Sequence, residues 1–203
     1  MSFCVYDNTT GQTATEYQTM GLSKWLTGDY QGALKDFEKQ ISLNGEDSEG
    51  YANKALALKS IEKYTEAIYF YTIAIEKNPK ALHYYKYRGE VKTYIYDYWG
   101  AVADFSKIIE KEPNNSDALL IRGQAKMNLN DFDEALKDFN RIIQIPVTIK
   151  DGKRYFIKAT AYFYRGIMRI NRGDKNGGCL DLSKAGEMGY SDAYKKIEKY
   201  CFE

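Results

Sequence analysis

The chain has 203 residues and a mass of 23.4 kDa, with 44% hydrophobic and 28% charged side chains. That balance excludes a disordered tail and a membrane protein, and leaves room for one or two ordinary domains or one repeat array. Lys plus Arg number 29 against 28 Asp plus Glu, a formal charge of +1 with a pI near 7.6, so no global basic field gathers nucleic acid or an acidic membrane surface.

The opening Met-Ser-Phe-Cys-Val-Tyr-Asp has neither a basic n-region nor an apolar segment, so no secretory signal is read there and cytoplasmic residence is the default expectation. A secreted or periplasmic location stays open if the chain is processed. Residues 1–13 match none of the repeats described below, and two readings remain for them: absence of order, or a path along a binding groove. The 19 Tyr are far above ordinary usage and the 3 Pro well below it, and few Pro suit a helical chain. Cys4, Cys179 and Cys201 form no CxxC and have only His83 beside them, too few ligands for a zinc site, so no metal or cofactor is expected. Cys179 and Cys201 read first as small apolar packing residues. The alternative is a disulfide joining the last two helices, which would imply an oxidising compartment.

Internal periodicity dominates the rest of the chain. One phrase recurs: Asp29-Tyr30-Gln31-Gly32-Ala33-Leu34, Lys63-Tyr64-Thr65-Glu66-Ala67-Ile68, Asp97-Tyr98-Trp99-Gly100-Ala101-Val102, Asp131-Phe132-Asp133-Glu134-Ala135-Leu136, and a degenerate Asp174-Lys175-Asn176-Gly177-Gly178-Cys179. Ala33, Ala67, Ala101 and Ala135 fall at even spacing, while Gly178 follows only after extra residues. A second series of small residues, Gly21, Ala55, Gly89, Gly123 and Gly166, runs in step with the first. Small residues paired in this way on two helices allow close approach of their axes, with Phe37, Tyr71, Phe105, Phe139 and Leu182 filling the space beyond. Each copy therefore reads as a helical hairpin with its turn near Gly28, Glu62, Tyr96, Asn130 or Gly173. Pro79, Pro113 and Pro146 close three of the copies.

This pattern resembles the tetratricopeptide repeat family, as a bacterial-type member, over units 14–47, 48–81, 82–115, 116–149 and 159–192, with an insertion at 150–158. The resemblance implies an all-α, right-handed superhelical solenoid of antiparallel helix hairpins. A final helix, 192–201, would follow Ser191-Asp192 as a cap, with Ala193, Tyr194, Ile197 and Tyr200 inward. The fifth copy departs most, carrying Lys175 where the others have an aromatic and Gly178 for Ala.

Where the family is usually apolar, repeats three to five carry Arg88, Arg122 and Arg165, and the same repeats carry Asp104, Asp138 and Asp181 on the second helix. This co-occurrence predicts structural Arg–Asp pairs. A basic residue recurs one turn later at Lys24, Lys92, Lys126 and Arg169.

The resemblance also implies a concave surface lined by the first helix of each hairpin. Carried over position by position, it points to Trp25, Asn53, Lys86, Tyr87, Tyr94, Gln124, Met127, Phe163 and Tyr164 as partner-binding residues. Rigid aromatic side chains suit a peptide site because they bury area at low entropic cost. Relatives that clamp C-terminal carboxylates use a fixed Lys/Asn/Arg set over three repeats, and no register of this chain supplies it. The insertion brings the one dense basic stretch, with Arg154, Lys158, Arg165, Arg169 and Arg172 within about 60° of one another on a continuous helix. A solvated rim on a lengthened helix is one reading of this stripe. A contact for an anionic ligand or RNA is the other.

No phosphate loop, dinucleotide fingerprint or nucleophile–base pair is present, so no enzymatic activity is expected. The sequence thus predicts a non-catalytic scaffold holding a partner protein or extended peptide, with no membrane and no nucleic acid as its main partner. The basic stripe is the alternative, and self-association is a third reading.

Overall fold

The computed structural model describes residues 11–202; the open readings of residues 1–10, Cys4 among them, lie outside the described residues. In chain order the α-helices are α1 Ala14–Leu26, α2 Tyr30–Leu43, α3 Ser48–Ser60, α4 Tyr64–Lys77, α5 Leu82–Tyr94 and α6 Tyr98–Lys111. They continue as α7 Ser116–Asn128, α8 Phe132–Gln144, α9 Lys153–Asn171, α10 Lys175–Glu187 and α11 Asp192–Cys201, with a single 3-10 turn at Ile149–Asp151 before α9. The fold is all-α, built of antiparallel hairpins. Two compact units divide between Asp104 and Phe105.

Local chemistry explains where these helices begin and end. Thr13 and Glu16 form a capping box at the start of α1, with Glu16 N–H donating to Thr13 Oγ1 at 3.2 Å and Thr13 N–H donating to Glu16 Oε2 at 2.7 Å. Second helices start differently. Asp29, Asp97 and Asp174 each accept the N–H of the glycine three residues on, Gly32, Gly100 and Gly177, at 2.8, 2.9 and 2.9 Å. A Cβ on any of these glycines would stand about 2 Å from the capping carboxylate, so the Asp-x-x-Gly spelling of three repeats is one steric requirement. Repeat four has Asp131 but Glu134 at that place, and its cap makes no side-chain bond.

The turn inside each hairpin needs one residue in the left-handed region, and it falls at the same repeat position each time. Gly28 and Gly173 hold φ of +87° and +88°, while Glu62, Tyr96 and Asn130 hold +60°, +62° and +61°. Glycine and asparagine tolerate this geometry; glutamate and tyrosine rarely adopt it. Pairs of small residues then set the helix spacing. A Cβ on Gly21 or Gly123 would strike the ring of Phe37 or Phe139 within 3 Å, and one on Gly166 would meet the Gly178 carbonyl and Leu182. Phe37, Tyr71, Phe105, Phe139 and Leu182 are essentially fully buried.

In the first unit the core joins Ala52, Ala55, Leu58, Ala67, Tyr71, Ile75, Tyr84 and Val91, with a smaller cluster of Ala33, Phe37 and Ala57 backed by Leu22 and Trp25. In the second unit Phe163, Leu182, Ala185 and Ala193 join helices α9, α10 and α11. Helix α9 is 19 residues long where α7 is 13, the insertion having lengthened it at its N-terminal end.

The last helix corrects two expectations. Ser191 sits in the right-handed helical region rather than the extended conformation typical of a capping residue, and its side chain makes no capping bond. Of the four inward residues, only Ala193 is fully buried, and Tyr194 is 58% exposed. Besides the packing of Ala193 and Ile197, a covalent bond fastens α11: Cys201 is disulfide-bonded to Cys179 of α10, with their Cα atoms 5.9 Å apart. The first reading of these cysteines as packing residues gives way to the disulfide. The bond closes a loop with a sequence separation of 22, for which chain entropy gives a stabilisation of about 3 kcal/mol. Reduction, or Cys201→Ser, is therefore expected to lower the unfolding free energy of the second unit by that order, read as an earlier midpoint in urea titration with thiol content followed by mass.

Candidate functional site

Three hairpins carry the same buried ionic assembly. In the first unit Arg88 donates from Nε and Nη2 to the two oxygens of Asp104, at 3.0 and 2.6 Å, and from Nη1 to Thr72 Oγ1 at 2.9 Å. In the second unit Arg122 does the same to Asp138, at 3.0 and 2.6 Å, and to Ser106 at 3.0 Å. Arg165 repeats it with Asp181, at 2.7 Å for both arms, and Asn140 at 2.7 Å. Two arms of each guanidinium thus tie the helices of one hairpin, and the third reaches the second helix of the preceding hairpin. A second cation sits on each carboxylate: Lys92 on Asp104, Lys126 on Asp138 and Arg169 on Asp181, all at 2.9 Å. The same cations also bond a backbone carbonyl of the second helix, Gly100, Glu134 or Gly177.

Repeat one holds Asp36 through Lys24 at 2.7 Å. Repeat two lacks the aspartate, and there Lys54 reaches back to Glu38 at 2.9 Å and stands 4.3 Å from the ring centre of Phe70. The acceptors Thr72, Ser106, Asn140 and Glu38 escape a reading that pairs only position with position inside one repeat. Their even spacing along the chain was the available signal.

The nine partner-binding candidates separate by accessibility. On the first-helix face of the first unit, Tyr94 is 58% exposed and its ring stacks on Tyr64, centroids 5.6 Å apart and planes within 6°. Lys59 lies 5.5 Å over the Tyr94 ring and 3.5 Å from Glu90, which Lys86 approaches to 3.9 Å. Tyr87, 37% exposed, lies between His83 and Tyr71. Burial, and then the nearby Tyr87, Glu90 and Glu49, push the Tyr71 phenol well above its ordinary pKa. Tyr84, almost completely buried, donates to Glu49 at 2.7 Å, and burial is the main cause that pushes its phenol up to about 12.

Trp25 is half-buried and donates from Nε1 to Ser60 Oγ at 2.8 Å. Asn53 is buried, so it is a packing residue and not an open contact. In the second unit Gln124 donates to the Tyr164 hydroxyl at 3.2 Å, and Tyr164 stacks on Phe139 with centroids 5.6 Å apart. Phe163 is likewise buried, 4.6 Å from the Tyr190 ring, because α11 and its turn close over it. Met127 lines a cavity of about 210 Å³ with Phe132, Ile167, Met168, Asn171 and Arg172.

Three cations of the basic stripe, Arg165, Arg169 and Arg172, are paired with carboxylates within the protein. Beyond Arg165 and Arg169 in the buried assembly, Arg172 pairs with Asp133 at 2.8 Å and Lys153 pairs with Asp117. Lys158 donates to the Ile145 carbonyl at 3.0 Å, and desolvation lowers its pKa. Arg154 lines a polar cleft with Glu112 and Asp117. Among the described residues, no group of three or more His, Cys, Asp or Glu is placed to hold a metal ion, and no helix is long and apolar enough to cross a membrane.

Hairpins of this length, with small residues at the crossings and one left-handed residue per turn, define an all-helical repeat protein. Comparisons agree: the tetratricopeptide repeat description matches residues 17–47 and again residues 97–146. Both stretches carry tetratricopeptide repeats. Among solved structures, MamA (41 to the end) from Desulfovibrio magneticus RS-1 is similar at 16% identity, over 88% of this chain and 96% of its own, with a TM-score of 0.75. YrrB, described as a tetratricopeptide repeat protein with an unusual peptide-binding site, is 17% identical over 91% of this chain and 92% of its own, with a TM-score of 0.74. A tetratricopeptide repeat protein from Parabacteroides merdae ATCC 43184 is 20% identical over 94% and 84%, with a TM-score of 0.61. At these identities the likeness is one of fold. No curated protein matches the chain.

The buried assembly makes a sharp stability prediction. Asp138→Ala would leave Arg122 and Lys126, both mostly buried, without their carboxylate, at a cost of about 3–5 kcal/mol. Asp133→Ala removes a carboxylate that is 81% exposed and is expected to cost less than about 1 kcal/mol. Parallel thermal denaturation of the two variants checks the difference.

Proposed function

We propose that this chain is a non-catalytic scaffold that holds a partner protein, or an extended peptide, against the first-helix faces of its hairpins. The observation that carries this reading is the accessible aromatic surface of the first unit, where Tyr87 and Tyr94 stand beside Lys59, Lys86 and Glu90. Rings already held by neighbours lose little freedom on binding, and mixed charge at their edges gives a peptide backbone groups to bond. The peptide-binding site in the description of YrrB supports the same reading by likeness of fold. The basic stripe gains no comparable support, since Arg165, Arg169 and Arg172 face carboxylates of their own chain.

The disulfide bears on location. Such bonds persist in oxidising compartments and are rare where thiols are kept reduced. Cys179–Cys201 therefore favours a periplasmic or extracellular setting over the cytoplasmic default.

Affinity capture from the native extract, followed by titration of the identified partner, tests the scaffold reading. Tyr87→Ala combined with Tyr94→Ala is expected to weaken that partner at least about tenfold while leaving helix content unchanged. An unaltered affinity would remove the first-helix face from consideration.

A further inference from the structure

Consecutive hairpins leave a slot at the turn end of their first helices, bounded by equivalent residues each time. Between repeats one and two the boundary includes Trp25, Tyr30, Leu56, Ala57, Ser60 and Ile61, and the Trp25 indole lies in it with its N–H on Ser60 Oγ at 2.8 Å. Between repeats two and three the equivalents are Lys59, Tyr64, Glu90, Val91, Tyr94 and Ile95. There the Tyr94 ring lies flat on Tyr64, and Lys59 stands 5.5 Å from its centroid. The chain thus fills both slots of the first unit with an aromatic side chain of its own.

The equivalent residues between repeats four and five, inside the second unit, are Met127, Phe132, Ile167, Met168, Asn171 and Arg172. These six line the cavity of about 210 Å³. Methionine stands where repeat one has Trp25, and asparagine where repeat three has Tyr94, so none of the described residues fills this slot with a ring. Phe132 keeps the stacking floor and is 41% exposed.

We infer that this slot binds an aromatic side chain, tryptophan or tyrosine, presented by the partner. The inference rests on the reading of the first-helix faces as peptide-binding surfaces. The two slots that the chain fills itself indicate the occupant: one shows a flat ring stacked on the aromatic at the floor, Tyr94 on Tyr64, and the other a ring whose polar edge bonds across to the next first helix, Trp25 to Ser60. Here Phe132 is the platform, and the Asn171 amide oxygen is the acceptor in the place of Ser60. Met127 and Met168 offer thioethers, which pack favourably against ring edges. Arg172, half-exposed and steadied by Asp133, brings a cation to an electron-rich ring, as Lys59 does over Tyr94. An aliphatic side chain would gain neither the stacking nor the cation contact, and would leave Asn171 without its donor.

The test needs no identified partner. N-acetyl-L-tryptophanamide is titrated into the full chain, and the Met127 and Met168 methyl resonances are followed by NMR. Saturable shifts of both methyls are expected, with a Kd on the order of 1 mM, since so small a ligand makes few contacts. N-acetyl-L-leucinamide should bind at least about fivefold more weakly. Met127→Trp, which supplies the ring that repeat one already carries, should abolish the shift of Met168. Asn171→Ala, an exposed change that the fold tolerates, should weaken the tryptophan probe several-fold. Absence of shifts at both methyls, equal binding of the leucine probe, or undiminished binding to Met127→Trp would each overturn the inference. If the probe binds the slot while the Tyr87/Tyr94 double variant keeps its partner, the slot stands and the scaffold reading of the first unit falls. Loss of the partner without probe binding gives the reverse.

Discussion

A buried carboxylate shared by two cations is the interaction on which the hairpin geometry of repeats three to five depends. Asp104, Asp138 and Asp181 are almost completely removed from water, where a lone carboxylate would be strongly disfavoured. Each is tolerated because an arginine fork and a second cation meet it from the first helix of the same hairpin. Such assemblies add less to net stability than to the choice of one geometry, because desolvation offsets much of the attraction. The third arm of each arginine carries that choice to the preceding hairpin, through Thr72, Ser106 or Asn140. Helix spacing within a hairpin is set by small residues against Phe37, Phe139 or Leu182. Where the arginine is present, in repeats three to five, it also fixes the spacing to the preceding hairpin.

That fixed spacing gives the first-helix faces their character. Because neighbouring hairpins meet in the same register, the side chains at equivalent positions either fill the slot between them or leave it open. Trp25 and Tyr94 fill theirs. Met127 and Asn171 do not, although the same carboxylate assembly stands beside Asn171 as beside Tyr94. Variation at two positions therefore changes what the surface offers while the scaffold beneath it stays constant. The residues that vary in this way are those with no part in the ionic assembly.

Much of this was legible in the sequence. The turn residues Gly28, Glu62, Tyr96, Asn130 and Gly173 could be placed because the small-residue series leaves only one interval for a turn, and all five hold positive φ. The hairpin class followed from the same series. What escaped depends on contacts between repeats or on one end of the chain. Nothing in the local pattern separates Phe163, which α11 and its turn bury, from Tyr164 beside it. The Cys179–Cys201 bond was underweighted because two cysteines on different helices pair only if the last helix folds back at the right angle, which spacing alone does not specify. Arg165 is paired with Asp181 by repeat position, but Lys153 and Arg172 look available because their acids, Asp117 and Asp133, lie far away in sequence. Sequence reading sees charge density; it does not see neutralisation by distant residues.

Amide hydrogen exchange on the free chain and on its complex with a captured partner tests the central claim most directly, because it reads every helix at once. Protection is predicted on the first helices, α3 and α5 in the first unit and α7 and α9 in the second, with α2, α4, α8 and α10 little changed. Protection confined to the second helices would contradict the account, since it would put the partner on the side that the ionic assembly and the hairpin cores already use.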